Sequence, residues 1–135
     1  MKLTLTILTA ALLMIAPAAM AADAVTELRP VIKKAAEANG VDPVLMEAII
    51  RLESGHATSR AARTKNNLAG IMGRKGQRRY ESKEDCVHDL GRILGKSRDS
   101  GRVTVEQIGR RYCTKAGWSR QVNAQIRLIR SGRYD

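Results

Sequence analysis

The chain has no phenylalanine, one tryptophan and three tyrosines. Four aromatics offer few platforms for base stacking, and no nucleic-acid-binding motif is present, so a nucleic-acid partner has no support. There is no glycine-rich phosphate loop of Walker spacing, no Ser or Cys nucleophile elbow and no dinucleotide fingerprint. His56, His88, Cys86 and Cys113 are the residues from which a metal site could be imagined, but their spacing matches no zinc pattern. Neither a metal nor a cofactor is expected. Acidic residues are scarce, 13 against 24 basic ones, and none falls between Leu68 and Tyr80. Beyond the first residues no apolar run approaches the about 20 residues that a membrane span needs.

The N-terminus is of a different kind. Lys2 precedes an apolar run, Leu3 to Ile15, broken only by threonines, and then Pro17 and the small residues around Ala21. This pattern predicts a secretory signal peptide over residues 1–21, cleaved after Ala21 or, as a second choice, after Ala22. The alternative is an uncleaved membrane anchor, for which the run is short. No cysteine follows the site to carry a lipid. Residues 22–135 form a mature chain of 135 − 21 = 114 residues, one domain able to bury a modest core. The segment removed holds one basic residue and no acid, so the net charge of +11 becomes +10. That excess favours a polyanionic partner, and export makes cell-wall polymers better candidates than nucleic acid. The expected setting is a periplasmic or secreted monomer with no membrane contact after cleavage. Cys86 and Cys113 in an exported chain predict one disulfide, the alternative being two buried free thiols.

The periodicity predicts an all-α fold. Val25 to Asn39 reads as a first helix with Leu28, Val31, Ile32 and Ala35 inward and Asn39-Gly40 as its stop. Asp42-Pro43 opens a second, with Asp42 as N-cap. Its buried face is Val44, Leu45, Ala48, Ile49 and Leu52, and Glu47 and Arg51 pair across its wet face. Residues 54–77 read as irregular, with at most a short β-ribbon between Leu68 and Tyr80. Ser82 to Asp85 resembles a capping box for a helix that buries Cys86, Val87, Leu90, Ile93 and Leu94 and leaves His88 on its wet side. Thr104 with Gln107 caps a fourth helix carrying Val105, Ile108 and Tyr112. Ser119 caps a fifth, with Val122, Ile126 and Ile129 inward and Arg127 and Arg130 outward. The basic run Arg74 to Arg79 reads as a solvated loop able to attract anionic wall polymers.

Glu53 stands out chemically. It continues the row Leu45–Ile49 at i,i+4 spacing and lies in the last turn of its helix, where the dipole is negative. Partial burial and that dipole end both disfavour an ionised carboxylate. A carboxylic acid that keeps its proton is what a glycosidase needs to protonate a leaving oxygen. The plain alternative is a surface glutamate at a frayed helix end.

Glu53-Ser54-Gly55, closing a helix begun by Asp42-Pro43, resembles the catalytic segment of the lysozyme-like superfamily. Asn66-Asn67-Leu68-Ala69-Gly70-Ile71 resembles the loop motif of the glucosaminidases of glycoside hydrolase family 73. Tyr80-Glu81-Ser82 is similar to the segment after that family's β-ribbon, and Thr104 to Ile108, Tyr112-Cys113 and Trp118 to its C-terminal motif. The resemblance spans about Val41 to Ile126. It implies a lysozyme-like helical domain crossed by a groove, peptidoglycan glycan strands as substrate, and Glu53 as general acid. It further implies Asn67, Gly70 and Ile71 as groove floor, Tyr80 as a substrate contact, Tyr112 as a second catalytic residue facing the cleavage point, and Trp118 beside it. Read as residues alone, Asn67 fits an Asx-type turn as well as a sugar contact, and Trp118 fits the core as well as a sugar platform.

One feature departs from the family pattern. The ribbon is short and carries no acid, so the usual pair of carboxylates is incomplete. The nearest downstream acids are Glu81, Glu84, Asp85 and Asp89; Glu84 and Asp85 read as first-turn helix residues, and Glu81 is the only loop acid with a case. The expected function is endo-β-N-acetylglucosaminidase chemistry with a single acid. The alternatives are a lytic transglycosylase that forms 1,6-anhydro ends, and a peptidoglycan-binding accessory protein with little turnover.

Overall fold

The computed structural model describes residues 22–135, so the expected signal segment lies outside the described residues. A short 3-10 turn at Thr26–Leu28 leads into α1 (Arg29–Asn39), followed by α2 (Pro43–Ser54) and the short α3 (Arg60–Lys65). A two-stranded ribbon, β1 (Met72–Gly73) and β2 (Gly76–Gln77), precedes α4 (Lys83–Asp99), α5 (Val105–Tyr112) and α6 (Trp118–Arg130). The ribbon is antiparallel, with Met72 opposite Gln77 and Gly73 opposite Gly76. The fold is therefore all-α with a minimal ribbon, as the sequence implied. No helix among the described residues is long and apolar enough to cross a membrane.

Helix boundaries follow local chemistry. Asp42 accepts from the Val44 N–H at 2.8 Å, and Pro43 fills the first turn of α2. Ser82 with Asp85, and Thr104 with Gln107, form complete capping boxes at α4 and α5. Two starts differ from expectation. α1 begins at Arg29, next to Pro30, with the 3-10 turn taking the residues before it. α6 begins at Trp118 on a left-handed Gly117 with no side-chain cap, so Ser119 is inside the helix. The stretch read as irregular holds α3, which Ser59 caps through the Ala62 N–H.

The core is built around α2. α1 packs against α4 and α2, and α6 packs against α2 and α5. Gly91 and Gly95, one turn apart on α4, allow a close approach to α1. A Cβ on Gly91 would sit 3.1 Å from the Ala35 carbonyl, and one on Gly95 would sit 3.2 Å from Asn39 Cβ. Because neighbours cover α2 on all sides, its polar face is not wet, which corrects the sequence expectation. Glu47 and Arg51 are buried. The Arg51 guanidinium bonds Glu47, Asp23 and the Thr26 hydroxyl, and the Tyr134 ring lies 3.6 Å from its central carbon. Arg29 grips the same Glu47 through two nitrogens. This network ties both ends of the described chain to the middle helix.

After α2 the chain turns sharply. Gly55, His56 and Ala57 all have positive φ, between 55° and 68°. For His56 and Ala57 this is a strained conformation, held by the Ala57 N–H bonded to Ser54 Oγ and by burial of the Ala57 side chain.

Candidate active site

Glu53 occupies the last turn of α2 and is half-buried. Each of its carboxylate oxygens meets a different element. The Trp118 indole N–H donates to Oε1 at 2.5 Å. Gly70 lies against Oε2: a Cβ there would come within 2.9 Å of that oxygen, and the backbone has φ +64°. The positive φ favours glycine at position 70, and any side chain there would push the Glu53 carboxyl aside. Trp118 is buried and stacks on Tyr112 with ring centroids 5.3 Å apart and an interplanar angle of 27°. Gly109 of α5 makes room for the indole, since a Cβ there would meet the ring at 2.9 Å. The Tyr112 hydroxyl donates to the Ala69 carbonyl. Burial, and next the Glu53 charge, hold the Tyr112 pKa well above its ordinary value, so Tyr112 is a neutral hydrogen-bond donor.

The loop that presents Gly70 is organised from within. Asn67 is buried, and its amide is fully used: Nδ2 donates to the Ile71 and Arg78 carbonyls, and Oδ1 accepts from the Ala69 and Ile71 N–H groups. Of the two readings left open for Asn67, the geometry matches the turn. Asn66, left-handed at φ 51°, bonds the carbonyls of Tyr80 and Glu81. The Leu68 N–H donates to Cys86 Sγ at 3.2 Å. Tyr80 returns along the other side and donates its hydroxyl to Asp89 at 2.6 Å. Asp89 also accepts from Arg78 and Arg92. Its burial raises the carboxyl pKa, but the bonds from Tyr80, Arg92 and Arg78 outweigh that and leave it below the ordinary 3.8. Burial likewise raises the Tyr80 hydroxyl.

Two cavities flank Glu53. One, of about 770 Å³, lies along α5 and α6 and is lined by Trp118, Gly117, Cys113, Arg120 and Glu106 among others. The other, of about 510 Å³, is lined by Gly70, Ile71, Tyr112, Ile93, Lys96 and Arg111 among others. Neither includes Glu53 itself, but Glu53 contacts a lining residue of each, Trp118 and Gly70. The stacked Tyr112–Trp118 pair therefore spans the two. Glu53 is thus a half-buried carboxyl with one oxygen fixed by the indole and the other left without a bonded partner, close to two hollows, an arrangement that suits a general acid.

Residues 29–134 match the glucosaminidase family, described as mannosyl-glycoprotein endo-beta-N-acetylglucosaminidase. The chain belongs to this family. Among solved structures it is similar to the catalytic domain of the autolysin Auto from Listeria monocytogenes. The TM-score is 0.66 at 20% identity, covering 82% of this chain and 85% of that one. No curated protein sequence matches it significantly.

This glucosaminidase brings most of its sequence-expected site residues together. Gly70, Glu53, Trp118 and Tyr112 follow one another as a chain of neighbours, with Asn67 and Ile71 in the loop that carries Gly70. Trp118 is buried at the wall of one cavity, and its indole N–H is given to the Glu53 carboxyl. Tyr80 stands apart, its hydroxyl taken by Asp89. The expected bridge between Cys86 and Cys113 is not formed: both are free thiols. Cys86 is directed at the 66–71 loop, and burial pushes its thiol up to about 11, while Cys113 lines the cavity beside Trp118. Sequence reasoning missed Gly109, and it missed Glu106, the one acid lining either cavity. It named Asp89 only as one of the acids downstream of the ribbon. The signal for its structural part was available, since Asp89 lies on the row Cys86–Ile93 with helical spacing, and a carboxylate on such a row needs partners.

Proposed function

We propose that this glucosaminidase cleaves the glycan strands of bacterial peptidoglycan as an endo-β-N-acetylglucosaminidase, outside the cytoplasm after export through the 1–21 segment. Glu53 is the general acid. The observation that supports this most is the Trp118 N–H bonded to one oxygen of its carboxyl, with Gly70 leaving room for the other and a cavity on the far side of each of these two residues. The likeness to an autolysin catalytic domain agrees with the substrate.

No second acid is among the residues that touch Glu53, and of those lining the cavities only Glu106 is acidic, exposed and bonded to Asn123. This favours a nucleophile supplied by the substrate. Glu53 gives its proton to the glycosidic oxygen as the C1–O bond breaks, and the carbonyl oxygen of the 2-acetamido group bonds to C1. Water then opens the resulting oxazolinium, and the Glu53 carboxylate takes the water's proton. The same lack of a partner acid favours a second reading, in which the sugar's 6-hydroxyl closes on C1 and loses its proton to Glu53. Mass spectrometry of digested peptidoglycan separates them: new reducing N-acetylglucosamine ends support the hydrolase, and 1,6-anhydro ends the transglycosylase. Glu53→Gln should abolish product in a folded protein that still binds glycan. Full activity in that variant would overturn the assignment.

A further inference from the structure

The cavity on the Gly70 side of Glu53 carries more charge than a neutral sugar requires. Lys96 projects from the last turn of α4, Arg111 from the last turn of α5, and Arg102 from the loop between them, and all three line it. No acid lines this cavity. Among the described residues none of the three has a salt bridge or a side-chain hydrogen bond, and Arg102 Nε is buried without a partner. Elsewhere the arginines that face acids are paired: Arg78 and Arg92 with Asp89, Arg98 with Asp99, Arg29 with Glu47 and Asp135. Helix dipoles explain a cation in the last turn of α4 and of α5. They do not explain why both cations and the loop arginine share one hollow, where like charges repel and a buried donor goes unsatisfied. The rest of the lining suits the acid's substrate, with Ile71, Met72 and Ile93 apolar and Tyr112 and Gly70 shared with the catalytic centre.

We propose that this cavity binds a carboxylate carried on the side arm of the substrate's muramyl sugar, so that the enzyme selects acid-bearing peptidoglycan strands over neutral amino-sugar polymers. The proposal rests on the glycan-strand function given above. A guanidinium and an ammonium in a partly enclosed site form charge-assisted hydrogen bonds to a carboxylate that a neutral hydroxyl cannot match. The adjacent position of Gly70 and Tyr112 puts the anion near the sugar whose bond is cut.

The test uses the Glu53→Gln protein and soluble muramyl disaccharides, with binding measured by calorimetry at low salt. One ligand keeps its stem peptide, and a second is stripped to the free lactyl carboxylate. Each is paired with a copy whose carboxylates are converted to amides. The acid form should bind about tenfold or more tightly than its amide. The pair that shows the preference identifies whether the peptide or the lactyl group supplies the anion. Lys96 and Arg111 are exposed, so Lys96→Gln/Arg111→Gln should fold normally and cut the preference severalfold, with Arg102 alone remaining. Equal binding of acid and amide forms, or a preference undiminished by the double substitution, overturns this inference and leaves the glucosaminidase reading standing. Failure of every ligand to bind, together with an unsubstituted chain inert on peptidoglycan, overturns both.

Discussion

Glu53 and Trp118 form the bond on which the site turns, and the indole has no other polar partner. Phenylalanine at 118 keeps the stack on Tyr112 and most of the buried area but removes the donor. One Glu53 oxygen is then free to rotate away from the scissile bond. Trp118→Phe should lower kcat by about a hundredfold, the scale of a small misplacement at a reacting group, with KM unchanged. A kcat within twofold of the parent would show that the bond does not orient the acid. The free thiols give a second residue-scale expectation. Unreduced, denatured protein should titrate two thiols. In the native protein Cys113 should react well before Cys86, which is buried and has its thiol pKa raised to about 11. A count of zero in denaturant would restore the bridge. Much of this site was legible in the sequence, since Glu53, Gly70, Tyr112 and Trp118 fall in recognisable segments. The tryptophan's task was not, because spacing places it in the core and says nothing of which way an indole N–H points.

The helices themselves were read well wherever the signal was local. Asp42-Pro43, the box from Ser82 to Asp85, and Thr104 with Gln107 each set a boundary by satisfying backbone N–H groups within a few residues. The polar face of α2 was misread because its burial comes from distant parts of the chain. An i,i+4 Glu–Arg pair is the usual mark of a solvated helix face, but Asp23, Thr26 and Tyr134 come from the two ends of the described chain to enclose it. Glycines 91 and 95 likewise show their purpose only once α1 is laid on them. The enclosed network makes α2 sensitive to single changes. Arg51→Met would leave Asp23 without its guanidinium and Glu47 with Arg29 alone. Removing one member of a buried ionic set costs about 3–5 kcal/mol, so the urea midpoint should fall accordingly. Adding Glu47→Leu should cost less than the sum of the two single changes, because the charges are coupled. A loss below about 1 kcal/mol in Arg51→Met would mean that the network adds little to stability.

Across the whole molecule the acids divide into one beside the indole of the candidate site and others that cap helices, pair with cations or stand exposed. Glu84 and Asp85 sit in the first turn of α4, Asp85 completing its cap. Glu81 is exposed beside the ribbon, Glu106 is exposed at the start of α5, and Asp89 is buried beneath Tyr80, Arg78 and Arg92. A single-acid mechanism predicts that Glu81→Gln and Glu106→Gln keep substantial activity, and that removing the substrate's N-acetyl group harms hydrolysis severely. Asp89→Asn should act through folding. The Asp89 pKa is lower in the folded chain than its ordinary 3.8, so its ionised form contributes stability that is present above that value and lost as pH falls below it. The variant should therefore be less stable at neutral pH, with a flatter loss of stability on acidification than the parent. Its activity should recover at temperatures where it is fully folded. A thousandfold fall in kcat for folded Glu81→Gln or Glu106→Gln, about 4 kcal/mol of barrier, would instead supply the missing second carboxylate. Glu106 is the sharper of the two tests. It lines the cavity beside Trp118, and a second catalytic acid must lie roughly 5–10 Å from the first. Its bond to Asn123 at 2.9 Å already gives it a structural purpose, so Asn123→Ala separates the two roles. If Glu106 only holds α5 to α6, Asn123→Ala should lower the melting temperature slightly, Glu106→Gln, which keeps an acceptor for the Asn123 amide, should not, and both should leave kcat alone. If it is a catalytic partner, only Glu106→Gln should stop turnover.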